Sequence, residues 1–291
     1  MPGAYDDCFH HCEELVRRGD KDRFLASLFA PADKRRYIFA LYAFNLEIAR
    51  IRDLVSDALP GEMRLQWWRD ALNGEGHGEV GRHPVAAALI ETLERCDLAS
   101  QPFMDLIEAR TFDIYDEPMP TVRHLEAYAR ATSSMPMRVA AAILGAERCN
   151  WTATMIDHGG TAYAFTGLLR AMPFHAAGGQ IFLPEEVMTK HGASRDDVLS
   201  GKTTPELKAA LAEMRDIARD HLGQAGTCVR GICGEAVPAV LPIALVRPYL
   251  ERMDRPDYEP FAEKCVVPQW RRQWILWKAV RAANRTCAKA H

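Results

Sequence analysis

The sequence has no apolar run approaching the roughly 18 residues that a membrane-spanning helix needs. It has no stretch of sustained period-two alternation over several strands, so a sheet is not expected. It has no internal repeat, no low-complexity segment and no Pro/Gly/Ser-rich linker, which argues against an array or a chain of tethered domains. There is little excess of either sign of charge. Net charge is -3 over 291 residues, which excludes global steering of nucleic acid and an acidic-tail role. The first residues show neither a signal-peptide apolar core nor an Arg/Ser-rich, acid-poor leader, because Asp6, Asp7, Glu13 and Glu14 come early. Cytoplasmic residence is the expectation. The eight cysteines are scattered rather than paired in a short chain, so a disulfide framework is not expected.

What is present is helical periodicity. Hydrophobic residues make up 48% of the chain and charged ones 26%, the balance of a globular protein with a sizeable core. Tyr5 to Arg18 reads as one helix, and Asp20 as the cap of a second. A long pattern from Ala32 to about Leu54 places Tyr37, Ile38, Leu41, Tyr42, Phe44, Asn45, Ile48 and Ile51 at three- and four-residue steps. Leu59-Pro60-Gly61 reads as a break before a helix over Met63 to Leu72. Further helices are expected over Pro84 to Cys96, Pro102 to Tyr115, and Thr121 towards Leu144 with a kink near Pro136. Asn150 caps the next one. Glu185 to His191 is a short helix. Thr203-Thr204-Pro205-Glu206 starts one running towards Val229. Glu235 to Met253 is very apolar around Val237 to Val246 and carries Pro238 and Pro242, so a buried, kinked helix is expected there, and Pro268 starts the last helix. The expectation is one all-α domain over residues 1-291.

Gly159 to Pro184 is the stretch the rest is arranged around: a helix apolar nearly all round, a Gly-Gly break, then an extended piece. Arg170 and His175 are the polar groups on that apolar helix, and such groups require a partner or a purpose. Cys8, His10, His11 and Cys12 lie within one turn or so of each other. No second ligand pair of zinc-site spacing follows, so no metal is assigned. In Gln269 to Arg285, Trp270, Trp274 and Trp277 fall on one face, with Arg271, Arg272, Lys278 and Arg281 beside them. That segment is read as closing the bundle, docking a partner or lying peripherally at a membrane surface.

Gly160, Ala162, Leu169, Arg170, Gly179, Leu183 and Pro184 fit the second signature of the squalene/phytoene synthase family, which the chain resembles. Tyr42, Ala43 and Phe44 fit the first. The resemblance implies an isoprenoid-synthase-like helical bundle around a central cavity. It also shows what is missing. The family aspartates fall at Ala49, Arg50 and Asp53 on one side and at Ala171 and His175 on the other. In the enzymes, paired carboxylates four residues apart hold magnesium, which neutralises the diphosphate as it leaves. Here only Asp53 remains, so no catalytic residue, no metal site and no cofactor is expected. Tyr42, Asp53, Arg170 and His175 are the expected substrate-binding residues, and Arg50 and Arg52 are further candidates for holding diphosphate directly.

Ala43-Phe44-Asn45, Glu47, Ala49, Arg52-Asp53, Val55-Ser56, then Met63-Arg64, Gln66 and Trp68 resemble one branch of the family. So do Leu169-Arg170-Ala171, Pro173, His175, Phe182-Leu183-Pro184 and His191-Gly192. It is the non-catalytic branch containing the mitochondrial complex I assembly factor. That resemblance implies a pseudoenzyme that assists assembly of respiratory complex I (NADH dehydrogenase). Complex I subunits or other assembly factors would be its partners, and an isoprenoid diphosphate or other lipid its ligand; nucleic acid is not expected. Location would be cytoplasmic or peripheral at the inner membrane, or the mitochondrial matrix for a processed chain. Two alternatives stand beside it. One is an active head-to-head prenyl-diphosphate synthase using magnesium, with Glu47, Asp53 or Asp157 replacing the missing pairs. The other is a lipid-binding protein unrelated to complex I. Tyr128 to Pro136 matches a place where the enzymes carry glycines, but Ser133, Ser134 and Pro136 stand there instead.

Overall fold

Asp20 caps a helix as its position suggests: its Oδ1 accepts from the backbone N–H of Arg23 at 2.9 Å. The structure is a computed structural model and describes residues 2–55, 57–76, 80–115, 117–146, 150–228 and 234–287. Ser56, Cys149 and Cys233, and the side chains of Asn150, Cys228 and Cys287, lie outside the described residues. Among the described residues the regular structure is helical throughout, with no strand. In chain order the helices are α1 (Pro2–Gly19), α2 (Lys21–Ser27), α3 (Ala32–Ala49), α4 (Ala58–Asn73), α5 (Pro84–Arg95), α6 (Gln101–Thr111), α7 (Val122–Ala129), α8 (Met135–Ile143), α9 (Asn150–Ala177), α10 (Glu185–His191), α11 (Arg195–Leu199), α12 (Pro205–Cys228), α13 (Val237–Val240), α14 (Val246–Met253) and α15 (Gln269–Cys287).

Several boundaries differ from the sequence reading, each for a local reason. α3 stops at Ala49, and a tighter turn over Arg52–Leu54 follows, with i→i+3 bonds from Ile51, Asp53 and Leu54. Asp53 is therefore not on the same helix as Ala49. Leu59-Pro60-Gly61 is no break. α4 begins at Ala58, and Pro60 sits in the first turn, where its missing N–H has no intrahelical partner to lose. Gly61 lets Ile114 pack against that turn, since a Cβ there would meet Ile114 Cδ1 at 3.0 Å. Within Thr203-Thr204-Pro205-Glu206 the cap of α12 is Thr204: its Oγ1 accepts from the Leu207 N–H at 3.2 Å. α11 is a further short helix, capped by Ser194, whose side chain accepts from the Asp196 N–H. The expected helix over Glu235–Met253 is divided into α13, a tight turn over Leu241–Leu245, and α14, with Pro238 and Pro242 in the first turns of its pieces.

α9 is the axis. It packs along α12 and touches α7, α8 and α14. Two adjacent glycines permit this. A Cβ on Gly159 would fall 2.3 Å from Ile243 Cδ1, and one on Gly160 would fall 2.3 Å from Ser134 Oγ. The Ser134 side belongs to a wide turn of i→i+5 type over Arg130–Ser134, inserted between α7 and α8. It is the kink expected near Pro136, reached one turn early. α9 tolerates Pro173 and ends in a Schellman arrangement. The Gln180 N–H bonds to the His175 carbonyl at 2.9 Å and the Gly179 N–H to the Ala176 carbonyl at 3.0 Å, with Gly179 at φ 84°. That ending turns the chain back and delivers Gln180 and Phe182 to the same space as the last turn of α9. A cluster of buried apolar side chains runs from Phe9 to Leu276 around this axis.

Candidate functional site

A cavity of about 250 Å³ lies where the end of α3, the end of α6, the wide turn and α9 meet. Ala49, Arg52, Asp53 and His175 line it, so the tertiary fold brings four of the expected site positions to one space. Asp53 sits exposed at the mouth. Arg52 is an expected diphosphate-holding candidate, and Tyr128 and Ser133 come from the Tyr128 to Pro136 stretch; Arg23, Arg110, Asp113, Thr132 and Tyr163 are wall groups that the sequence reading did not single out. Arg23, Arg52 and Arg110 supply guanidinium groups, Asp113 a second carboxylate, and Tyr128, Thr132, Ser133 and Tyr163 hydroxyls.

Arg110, Asp113 and Tyr128 form a closed triad. Arg110 Nη1 donates to Asp113 Oδ2 at 2.8 Å and lies 2.7 Å from the Tyr128 hydroxyl, which donates to Asp113 Oδ1 at 2.8 Å. Burial pushes the Asp113 carboxyl up from its usual range, against the pull of Arg110 and the Tyr128 hydroxyl. Gln180 Nε2 donates to the Asp113 carbonyl, tying the chain after α9 to the triad. Arg23 is held 3.3 Å from Asp20 and lies over the Tyr42 and Tyr163 rings at 5.2 and 5.4 Å. Tyr42 thus acts on the cavity through Arg23; it is fully buried behind it and not part of the wall. Arg23 Nε, Arg110 Nε and Ser133 Oγ are buried without a hydrogen-bond partner among the described residues. Unsatisfied donors of this kind are costly unless something binds them.

The remaining expected positions are elsewhere. Arg170 faces away from the cavity. Its Nε donates to the Cys265 carbonyl at 3.2 Å, and its guanidinium lies over the Tyr249 ring at 3.5 Å. The apolar surroundings that suggested a ligand instead supply a buried carboxylate, Asp22. Arg50 and Ala171 are not among the lining residues. Neither are Glu47 and Asp157, and Asp157 pairs with Arg138 instead. His175 is held down to about 4 by burial and by the neighbouring Arg110 charge, so it is neutral near pH 7. Its cationic form is not the one presented to an anion. Its ring packs edge-on against Phe182 at 4.8 Å.

The donor set does not fit the magnesium cluster of the synthases. Of the lining carboxylates, Asp113 is consumed by Arg110 and Tyr128, which leaves Asp53; the helix that should align it with a second carboxylate has Ala49 there and ends at that residue. Three guanidinium groups suit a negatively charged head group instead. A narrower apolar chamber of about 20 Å³ continues from the polar one. It shares Leu168, His175, Gln180 and Phe182 and is closed by Leu125, Leu169, Met172, Leu211 and Met214. Near the N-terminus, burial drives the Cys12 thiol up to about 12, so it is not poised as a metal thiolate.

The sequence held faint signals for the missed residues. Arg110 and Asp113 are three apart on a helix end, the spacing of a local ion pair. Arg23 stands three residues after the cap Asp20. Neither spacing says that the pair faces a cavity.

Comparison with known proteins gives a consistent picture. Residues 16–278 match the family described as squalene/phytoene synthase. The NADH dehydrogenase (ubiquinone) complex I assembly factor 6 of Rattus norvegicus is 31% identical over 260 residues, 89% of this chain and 78% of that protein. The 15-cis-phytoene synthase of Synechococcus elongatus is 26% identical over 293 residues, 97% of this chain and 95% of that one. A dehydrosqualene synthase crystal structure shares the fold at a TM-score of 0.80 and 19% identity, covering 99% of this chain and 98% of the other. The architecture is accordingly the isoprenoid-synthase-like helical bundle, with the cavity at its centre.

Proposed function

The chain belongs to the squalene/phytoene synthase family, and from that premise we propose that it is a non-catalytic member acting as an assembly factor for respiratory complex I. The observation that carries this reading is the wall of the central cavity. The fold is shared with the family's solved structures, yet the wall positions that should present paired carboxylates present Ala49, Asp53 and a neutral His175. The similarity to assembly factor 6 at 31% identity, over 89% of the chain, supports the choice of role. Complex I subunits or companion assembly factors are the partners this reading names. No described helix is long and apolar enough to cross a membrane.

On this reading the cavity binds rather than ionises. Arg23, Arg52 and Arg110 hold an anionic head such as a diphosphate or a lipid phosphate. The apolar chamber receives the start of a tail once Leu168, Leu169 and Met172 shift, because about 20 Å³ does not admit a chain as it stands. No step is routed through magnesium.

Deletion of the gene is the direct test. Native gels and NADH:quinone assays of the deletion strain should show loss of the assembled peripheral arm and of activity. Normal complex I in that strain would sink the reading. Purified protein incubated with farnesyl or geranylgeranyl diphosphate and magnesium should release no pyrophosphate. Turnover abolished by Asp53→Ala would instead make it a synthase with a rebuilt metal site.

A further inference from the structure

α15 carries five cations, Arg271, Arg272, Lys278, Arg281 and Arg285, and no Asp or Glu, in a chain whose net charge is -3. The helix is pinned by one side. Arg272 Nη1 donates to Asp22 at 2.7 Å, and Leu276 is fully buried. At about 100° per residue both lie about 160° from Trp274. The opposite side is open. Trp270, Trp274 and Trp277 are 69%, 50% and 39% exposed. By the same helical count these three rings and Arg271, Lys278, Arg281 and Arg285 fall within an arc of about 120°. All four of those cations are exposed.

The arc is internally organised. The Trp274 and Trp277 rings stack at 5.0 Å, Lys278 Nζ lies 5.3 Å from the centre of the Trp274 ring, and the Arg281 guanidinium lies 4.6 Å from that of Trp277. Indole rings and cations mixed at one level match the boundary between lipid head groups and acyl chains. There an indole keeps its N–H in the polar layer, and a basic side chain meets phosphate. A partner's apolar groove would instead favour a face with the charges at its margins.

We propose that this face of α15 seats the protein on an anionic lipid bilayer, the indoles entering the interface and Arg271, Lys278, Arg281 and Arg285 meeting lipid phosphates. This goes beyond the assembly-factor reading and does not depend on it. The test is co-sedimentation of the full chain with phosphatidylcholine vesicles, with and without about a third phosphatidylglycerol. Binding is expected to the anionic vesicles alone and to fall steeply between about 50 and 500 mM salt. The variant R271Q/K278Q/R281Q should lose about fivefold per cation, near 100-fold in all. The variant W270S/W274S/W277S should lose at least tenfold. The control R17Q/R18Q/K190Q removes the same charge from other exposed sites and should bind as the unaltered chain does. Failure to bind anionic vesicles at low salt overturns the proposal and leaves the face to a protein partner. Equal loss in the control overturns it as well, because net charge rather than α15 would then be the cause.

Discussion

Asp22 Oδ2 lies 3.6 Å from Arg170 Nη1, while its Oδ1 accepts from Arg272 and its Oδ2 from the Tyr249 hydroxyl at 2.8 Å. One carboxylate on α2 thereby gathers α9, α14 and α15. The residue beside it, Arg23, lines the cavity. Arg170 fits the family's second signature, and its contacts with Asp22, Tyr249 and Cys265 join helices.

Removing that arginine should therefore cost stability. Arg170→Ala leaves Asp22 with Arg272 and Tyr249, but strips the ring contact with Tyr249 and the bond to the Cys265 carbonyl. A loss of about 2–3 kcal/mol is expected in urea unfolding at pH 7. An unchanged midpoint would show that the network contributes nothing.

Two glycines on α9 should respond in opposite directions. Gly160→Ala drives a methyl to within 2.3 Å of Ser134 Oγ and 2.7 Å of Ser134 Cα, so α9 must move off the wide turn. Destabilisation of about 1–3 kcal/mol or more is expected. Gly167→Ala meets nothing within 4 Å, and should stabilise by up to about 1 kcal/mol through helix propensity. Thermal melts of the pair check this; equal effects would refute the packing argument.

His175 gives the stability a pH dependence. Its folded pKa of about 4 lies below the usual 6.5, through burial first and Arg110 second, so the unfolded chain binds the proton more tightly. The contribution is fully present above about pH 6.5 and is lost as pH falls from there towards 4. By pH 5 the loss should be about 2 kcal/mol. His175→Gln should flatten that part of the curve in urea titrations at pH 7, 6 and 5. An equally steep fall in the variant would assign the effect to other groups.

Anion binding should not need a divalent cation. Calorimetry with pyrophosphate should give the same affinity in magnesium as in a chelator, since three guanidinium groups line the cavity while its two carboxylates, Asp53 and Asp113, form no metal-binding pair, Asp113 being held by Arg110 and Tyr128. Arg52→Gln should weaken it at least tenfold. Binding that appears only with magnesium would point to a metal site the donor set does not suggest.

Much of the helix order was readable because apolar residues recur at helical steps and because caps such as Asp20 and Thr121 act through their immediate neighbours. Boundaries failed where two local rules compete. Leu59-Pro60-Gly61 satisfies both a break and a first helical turn, and only packing of Ile114 against Gly61 selects the second. The early end of α3 is hidden because Ile51 and Leu54 continue the periodicity that the backbone abandons after Ala49.

The sequence by itself determined the all-helical class, the family frame and the loss of paired carboxylates, since each is a matter of residue type at fixed spacing along one chain. The tertiary structure alone decided which polar groups face the cavity. Arg23, Arg110 and Asp113 come from segments nearly a hundred residues apart, and Arg170 is turned outward by a carboxylate about 150 positions earlier. Periodicity assigns a side chain to a face of its own helix. What that face meets depends on the crossing of helices distant in sequence, which no local pattern encodes.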